Sequence, residues 1–181
     1  MADNQRGVSE MKILIVSDSH GLEDELHTLS QRHQDADIMI HCGDSELASH
    51  HPVLTGYKVV AGNCDVPSAG FPNNLVIDLD DHKIFVTHGH LYNVKMTEMN
   101  LLYKAEEAGA KIVCFGHTHL AGSGQANGCV WINPGSIRLP RGRREATYAI
   151  ATWEKRVQTL TVNFYDVSGR AVEALTASYK L

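Results

Sequence analysis

The chain has 181 residues, 43% of them apolar and 20% charged, with a formal net charge of -5 and a sequence pI near 6.1. That length fits one domain with a real hydrophobic core. The acidic balance argues against a general nucleic-acid binder, which carries a basic excess, and no apolar run approaches the roughly 20 residues that span a bilayer, so no membrane partner is expected.

Residues 1–10 (MADNQRGVSE) lack the positive start and apolar core of a secretory signal. They are expected to form a flexible extension, with the folded domain running over 11–181. Residues 12–17 (KILIVS) are a continuous apolar run, the mark of a strand buried on both faces. Over 22–33, Leu22, Leu26 and Leu29 recur at helical spacing, and Glu23, Asp24 and Glu25 suit the positive end of a helix dipole. Residues 37–42 and 57–61 predict two further strands. Those at 75–79 and 83–87 predict a hairpin around Asp80-Asp81-His82. A helix is expected over 96–108, with Met99, Leu102 and Tyr103 on one face and Gly109 as its stop. Strands at 111–115 and 129–132 follow. From 145 onward, ATYAIATW and VQTLTVNFY alternate as antiparallel strands covered on one face do. The pattern is α/β first and mostly β at the end, with no internal repeat and no linker.

The polar residues fall at the ends of these strands. Asp18-Ser19-His20 follows the first, Gly43-Asp44 the second and Gly62-Asn63-Cys64-Asp65 the third. Thr87-His88-Gly89-His90 closes the hairpin, and Gly116-His117-Thr118-His119 follows the strand at 111–115. Open α/β sheets assemble their sites beyond the carboxyl ends of strands. A lone Asp-x-His or Gly-Asp is ordinarily a surface turn, and a single His-x-His can be a pair of exposed strand residues. Five such clusters in this order instead point to Asp, Asn and His converging on metal. The four cysteines, Cys42, Cys64, Cys114 and Cys129, form no CxxC pair, and with no signal peptide they read as reduced thiols of a cytoplasmic protein.

These motifs resemble those of the calcineurin-like metallophosphoesterases: Asp-x-His, Gly-Asp, Gly-Asn-x-Asp, His-Gly and Gly-His-x-His, in order from Asp18 to His119. Asn133-Pro134-Gly135-Ser136 is similar to a turn of the small single-domain bacterial and archaeal phosphodiesterases of the YfcE-like subgroup. The resemblance spans residues 11–180. It implies a four-layer α/β sandwich of two mixed sheets flanked by helices. It also implies that Asp18, His20 and His119 hold one metal, Asn63, His88 and His117 a second, and that Asp44 bridges them. The implied cofactor is a pair of divalent ions, manganese by family precedent, with zinc, iron, nickel or magnesium left open by oxygen and nitrogen ligands. The implied reaction is hydrolysis of a small phosphoester, a diester by the subgroup resemblance, through in-line attack by a hydroxide held between the metals.

The sequence departs from the common pattern at Cys64, where many members carry a histidine thought to protonate the leaving oxygen. A thiol is a poor general acid beside an imidazolium. His90, two residues beyond His88, is the candidate to contact substrate, with Asn63, and to supply that proton; as an exposed loop histidine it would do neither. Asp65 is read as a cap of its own turn, and His41 as a hydrogen-bonded residue in or beside the sheet. His50 and His51 are given no role. Arg138, Arg141, Arg143 and Arg144 are read as a solvated loop or a subunit contact before capture of an anionic substrate. Two alternatives stand beside the diesterase: a phosphomonoesterase, and a non-catalytic scaffold like the retromer subunit related to this family. A homodimer is left open.

Overall fold

The computed structural model describes residues 10–181. Of the expected N-terminal extension, residues 1–9 lie outside the described residues, while Glu10 pairs with Glu154 at the start of the first strand. In chain order the elements are β1 (Glu10–Val16), α1 (Glu23–Arg32), β2 (Ile38–His41), β3 (Tyr57–Val59), β4 (Asn74–Leu79), β5 (His82–Thr87), α2 (Met99–Glu107), β6 (Ile112–Cys114), β7 (Gly122–Ala126), β8 (Cys129–Asn133), β9 (Thr147–Glu154), β10 (Thr159–Asp166) and β11 (Ala177–Lys180). They build a six-stranded sheet of order β11-β10-β9-β1-β2-β3 and a five-stranded sheet of order β4-β5-β6-β8-β7. Both are mixed: β1, β2 and β3 run parallel, as do β5, β6 and β8, with antiparallel partners outside them.

The period-two alternation of β1 explains the layering. Ile13 and Ile15 enter a core shared with Ile84, Val86, Ile112 and Ile132 of the second sheet. Leu14 and Val16 face the other way and pack with Leu26 and Leu29 of α1 and with Tyr148 and Ile150 of β9. On the far side of the second sheet, Phe85 and Val113 pack against Leu101, Leu102 and Ala105 of α2. The order of layers is therefore helix, sheet, sheet, helix, the expected four-layer sandwich.

Several expectations are corrected. β9 is covered on both faces, because it lies between β1 and β10 and its even positions meet the α1 layer while Ala149, Ala151 and Trp153 face the inter-sheet core. β10 keeps the one-sided alternation expected of it. α2 begins at Met99 and turns Leu101, Leu102 and Ala105 inward, leaving Tyr103 exposed. Among the described residues no helix is long and apolar enough to cross a membrane. All four cysteines are free, with Cys42, Cys114 and Cys129 buried and Cys64 exposed.

Candidate metal centre

The carboxyl ends of β1, β2, β3, β5 and β6 deliver their loops to one edge of the sandwich, where both sheets contribute. Backbone bonds carry the β1–β2 pairing into these loops: Asp18 N donates to Gly43 O at 3.0 Å and His20 N to Asp44 O at 3.0 Å. In the second sheet the β5–β6 pairing continues in the same way, with Gly116 N donating to His88 O at 3.0 Å. Five of the seven predicted ligands, Asp18, His20, Asp44, His117 and His119, adopt left-handed backbone with φ between 44° and 65°. A side-chain-bearing residue in that region costs of order 1–3 kcal/mol and persists only where surrounding bonds over-determine it, as at functional sites. Two glycines admit the carboxylates. A Cβ on Gly62 would stand 2.0 Å from Asp44 Oδ1, and one on Gly116 would stand 2.6 Å from Asp18 Oδ2. Both carboxylates lie against bare main chain.

Asp18 is fully buried. Its Oδ2 accepts from Ser17 Oγ at 2.6 Å and from His117 N at 3.2 Å. Its Oδ1 has no hydrogen-bond partner, yet Nε2 of His119, His88 and His20 stand 3.0, 3.9 and 4.0 Å from it. His20 Nε2 is likewise buried without a partner. Each of these three rings is held from behind through Nδ1: His88 to Cys42 O at 2.8 Å, His119 to Leu139 O at 2.7 Å and His20 to Glu46 Oε1 at 2.6 Å. Anchoring one ring nitrogen fixes the tautomer and aims the other, the arrangement found behind metal-ligating histidines. Asp44 Oδ1 accepts from Cys64 N at 2.7 Å, and Oδ2 lies 3.2 Å from His88 Nε2. Asn63 Oδ1 lies 3.2 Å from the same Nε2.

The donor atoms of Asp18, His20 and His119 all lie within 4.8 Å of one another, as do those of Asp18, Asp44 and His88. Orphaned buried polar atoms call for a partner, and mixed oxygen and nitrogen donors in two adjoining sets, sharing Asp18, suit divalent cations. The residues present fit the implied metals. His20, Glu46 and Cys64 also come within 4.8 Å of one another, but Glu46 is engaged with His20 Nδ1, which makes it a brace. His117 belongs to none of these sets; its ring centroid lies 5.1 Å from that of His88 and 6.1 Å from that of His90.

Charge is distributed accordingly. Burial opposes ionisation of Asp44, but the His88 bond and the Cys64 N–H hold its carboxyl well below the usual range. Burial likewise works against a charged His88, and Asp44 and Asp18 outweigh it, raising the imidazole. The neighbouring Asp18 raises His119. Burial, then His88 and Lys95, push His117 down to about 4. Desolvation of its sulfur, then Asp44 and Glu46, push the Cys64 thiol up to about 11.

Outside the donor sets, His90 is half-buried, its ring 5.4 Å from His88 and its Nδ1 without a partner. With Asn63 it lines a cleft of about 480 Å³. His41 is buried as expected, accepting from Gly43 N at 3.2 Å and meeting Ser19 Oγ at 2.8 Å, so it ties the first two loops together. Burial pushes it down to about 4, against Asp18 and Asp65. Asp65 does more than cap its own turn. It accepts from Gly62 N at 2.7 Å, but also from Asp44 N at 2.8 Å and Glu46 N at 2.7 Å, and so clasps the second loop to the third. Ser136 Oγ donates to Asp18 O at 2.7 Å, and Arg138 donates from its guanidinium to His20 O, so part of the basic cluster braces the first loop. His51 caps the turn at Pro52–Leu54, and Glu23 Oε1 lies 3.5 Å from its Nε2. Glu46 was missed in the sequence, since nothing in Ser45-Glu46-Leu47 marks it.

Comparison with known proteins gives a consistent result. The calcineurin-like phosphoesterase superfamily domain matches residues 11–156. "Probable metallophosphoesterase YsnB" of Bacillus subtilis is 53% identical over 166 residues, 91% of this chain and 96% of the relative. A predicted phosphoesterase of Streptococcus pneumoniae, solved by crystallography, is 33% identical with a TM-score of 0.90 over 97% of this chain and 100% of its own. Phosphodiesterase YfcE of Escherichia coli is 29% identical over 106 residues, 52% of each chain.

Proposed function

The chain belongs to the calcineurin-like phosphoesterase superfamily, and from that membership we propose that it is a phosphodiesterase working with two divalent metal ions, manganese first among them, on a small phosphoester. The observation that carries the reading is the buried, partnerless Asp18 Oδ1 faced by Nε2 of His20, His88 and His119. In this reading Asp18, His20 and His119 hold one ion, Asn63, His88 and His117 hold the other, and Asp44 serves both. The ions would supply a water nucleophile at neutral pH and neutralise charge on the phosphoryl oxygens. Diester preference is supported by the relative YfcE, whose name states that activity.

The chain's own part is positioning. Cys42 O, Leu139 O and Glu46 hold three imidazoles through Nδ1 and keep Nε2 of each aimed inward. Asn63 and His90 line one cleft beside the donors, where they contact the phosphoester. Hydrolysis of a diester yields a monoester and an alcohol, whose oxygen takes a proton; His90 is the side chain assigned to deliver it, since Cys64 keeps its own.

The test is a screen with and without added Mn²⁺ against bis(4-nitrophenyl) phosphate, 4-nitrophenyl phosphate, cyclic nucleotides and short nucleic acids, with Asp44→Asn as the control. Mn²⁺-dependent release from the diester that Asp44→Asn abolishes supports the reading. Release from the monoester alone replaces it with the phosphomonoesterase. Tight metal binding without hydrolysis of any ester replaces it with the scaffold.

A further inference from the structure

Beside the metal centre lies a second cavity of about 380 Å³, within the range of about 300–1,000 Å³ usual for small-molecule sites. One wall is the segment between β5 and α2, with Val94, Lys95 and Met96; the other is the β7–β8 edge, with Leu120, Gly122 and Trp131. The inner end abuts the metal centre. Thr118, which lines it, lies between His117 and His119 in the chain and is held by Asn133 Nδ2 at 2.9 Å. Arg141, also lining it, donates its N–H to His119 O at 3.0 Å. Lys95 and Arg141 put two cations on the lining against one acid, Glu98.

The apolar wall has a specific shape. Gly124 pairs with Trp131 in the β7–β8 register, and a Cβ there would stand 2.6 Å from the indole, so the ring lies directly across the edge strand. At Gly122 a Cβ would meet only the outer corner of the same ring, at 3.8 Å, which leaves space open above it. At the mouth, Met96 is 79% and Leu120 52% exposed, apolar surface that a ligand would cover.

We propose that this cavity binds an aromatic arm of the phosphoester, a flat ring laid on Trp131 with the phosphoryl group held between the metal donors and the cations of Lys95 and Arg141. The inference rests on the phosphoesterase reading for the position of phosphorus. The adjacency to His117 and His119 assigns the cavity to a substituent of the same substrate, and the indole with two cations selects a ring carrying a negative phosphoryl end.

The experiment measures binding of phenylphosphonate and methylphosphonate, neither of which is an ester, to the manganese-loaded protein by calorimetry. Burial of one ring makes phenylphosphonate bind at least about tenfold more tightly. Gly122→Val, which extends a branched side chain into the open space, brings the ratio to within about twofold of one. Met96→Ala with Leu120→Ala, both exposed and outside the core, also lowers it, and serves if the glycine variant folds poorly. Equal affinities in the unaltered chain, no binding of either compound, or a ratio that neither variant moves overturns the inference. Loss of the phosphoesterase reading shows differently: the aromatic preference persists while no ester is hydrolysed with manganese.

Discussion

Glu46 illustrates how much of this site depends on residues that never meet the reacting atoms. Its carboxylate takes the Nδ1 side of His20 at 2.6 Å, and its own backbone, at φ 57°, is secured by an N–H bond to Asp65. A carboxylate behind a ligating imidazole fixes the tautomer and raises ligand basicity, and losing such a partner typically costs about 10–100-fold in metal affinity. Glu46→Ala is therefore expected to weaken manganese binding by about that factor in competition with a metal indicator, and Glu46→Gln, which can still accept from Nδ1–H, to restore most of it. Equal losses in the two variants would mean that Glu46 acts through charge alone; no loss in either would remove it from the site. Cys64 presents the opposite case. It occupies a ligand-rich loop, where its sulfur accepts from Asn63 Nδ2 at 3.4 Å and lies close to Asp44, and its backbone N–H donates to Asp44 Oδ1 at 2.7 Å. The side chain was conspicuous in the sequence and the main chain carries the role.

At the level of elements, the site is a set of loops clasped to one another more than to their own strands. Asp65 accepts from Asp44 N, Gly62 N and Glu46 N, and Ser45 Oγ donates to it at 3.2 Å. In Asp65→Asn one oxygen still accepts, but the amide nitrogen must face N–H donors. Bonds to charged acceptors are worth about 1.5–3 kcal/mol each, so a stability loss of roughly 2–3 kcal/mol is expected in urea unfolding, with a fall in activity as Asp44 moves. An unchanged midpoint and full activity would show the clasp to be dispensable. Three of the strands that carry these loops were legible because KILIV, DIMIHC and KIVCF are mostly consecutive apolar residues, as burial between two layers requires. β7 was not legible: Gly122-Ser123-Gly124-Gln125-Ala126 has no apolar alternation, and it is a strand because β8 supplies its partner and Trp131 supplies its cover. β11 is a short, half-exposed edge with the same difficulty. The site motifs were readable as Asp, Asn and His between glycines, while Asp65, Glu46 and Ser136 act across loops far apart in sequence, which local patterns do not encode.

For the whole molecule, two ties, one local and one between the sheets, should respond differently to solution conditions. At the end of β10, Asp166 accepts from Ser168 and from Arg170 N and Nε, the latter two at 3.1 Å, and these bonds lower its pKa to about 2. A carboxyl depressed from about 3.9 stabilises the fold fully above that value and loses the contribution as pH falls through about 2. Asp166→Asn should thus unfold at lower urea than the unaltered chain at pH 7, with the gap closing between about pH 4 and 2; a constant gap would assign the loss to packing. The proposed metal centre would be the other tie, since its residues come from both sheets: Asp18 and Asp44 extend the first, His88, His117 and His119 the second. At this junction Asp18 Oδ1 lies 3.0 Å from His119 Nε2, and His20 Nε2 is buried without a hydrogen-bond partner. Ions that bind only the folded chain add RT ln(1 + [L]/Kd), about 2.7 kcal/mol at a hundredfold excess over Kd, and in a domain of this size each kcal/mol moves Tm by roughly 2–4 °C. Chelation should therefore lower Tm by about 5–10 °C, and manganese should restore it in a concentration-dependent way. The effect should localise as well: amide exchange after chelation should rise in the loops at 17–21, 42–46, 62–65 and 116–119 while the strand centres of both sheets stay protected, because the inter-sheet core of Ile13, Ile15, Ile84 and Ile112 does not depend on the ions. A Tm insensitive to chelator in protein shown by elemental analysis to have been metal-loaded would mean that the loops are fully ordered by Asp65, His41 and Ser136 alone.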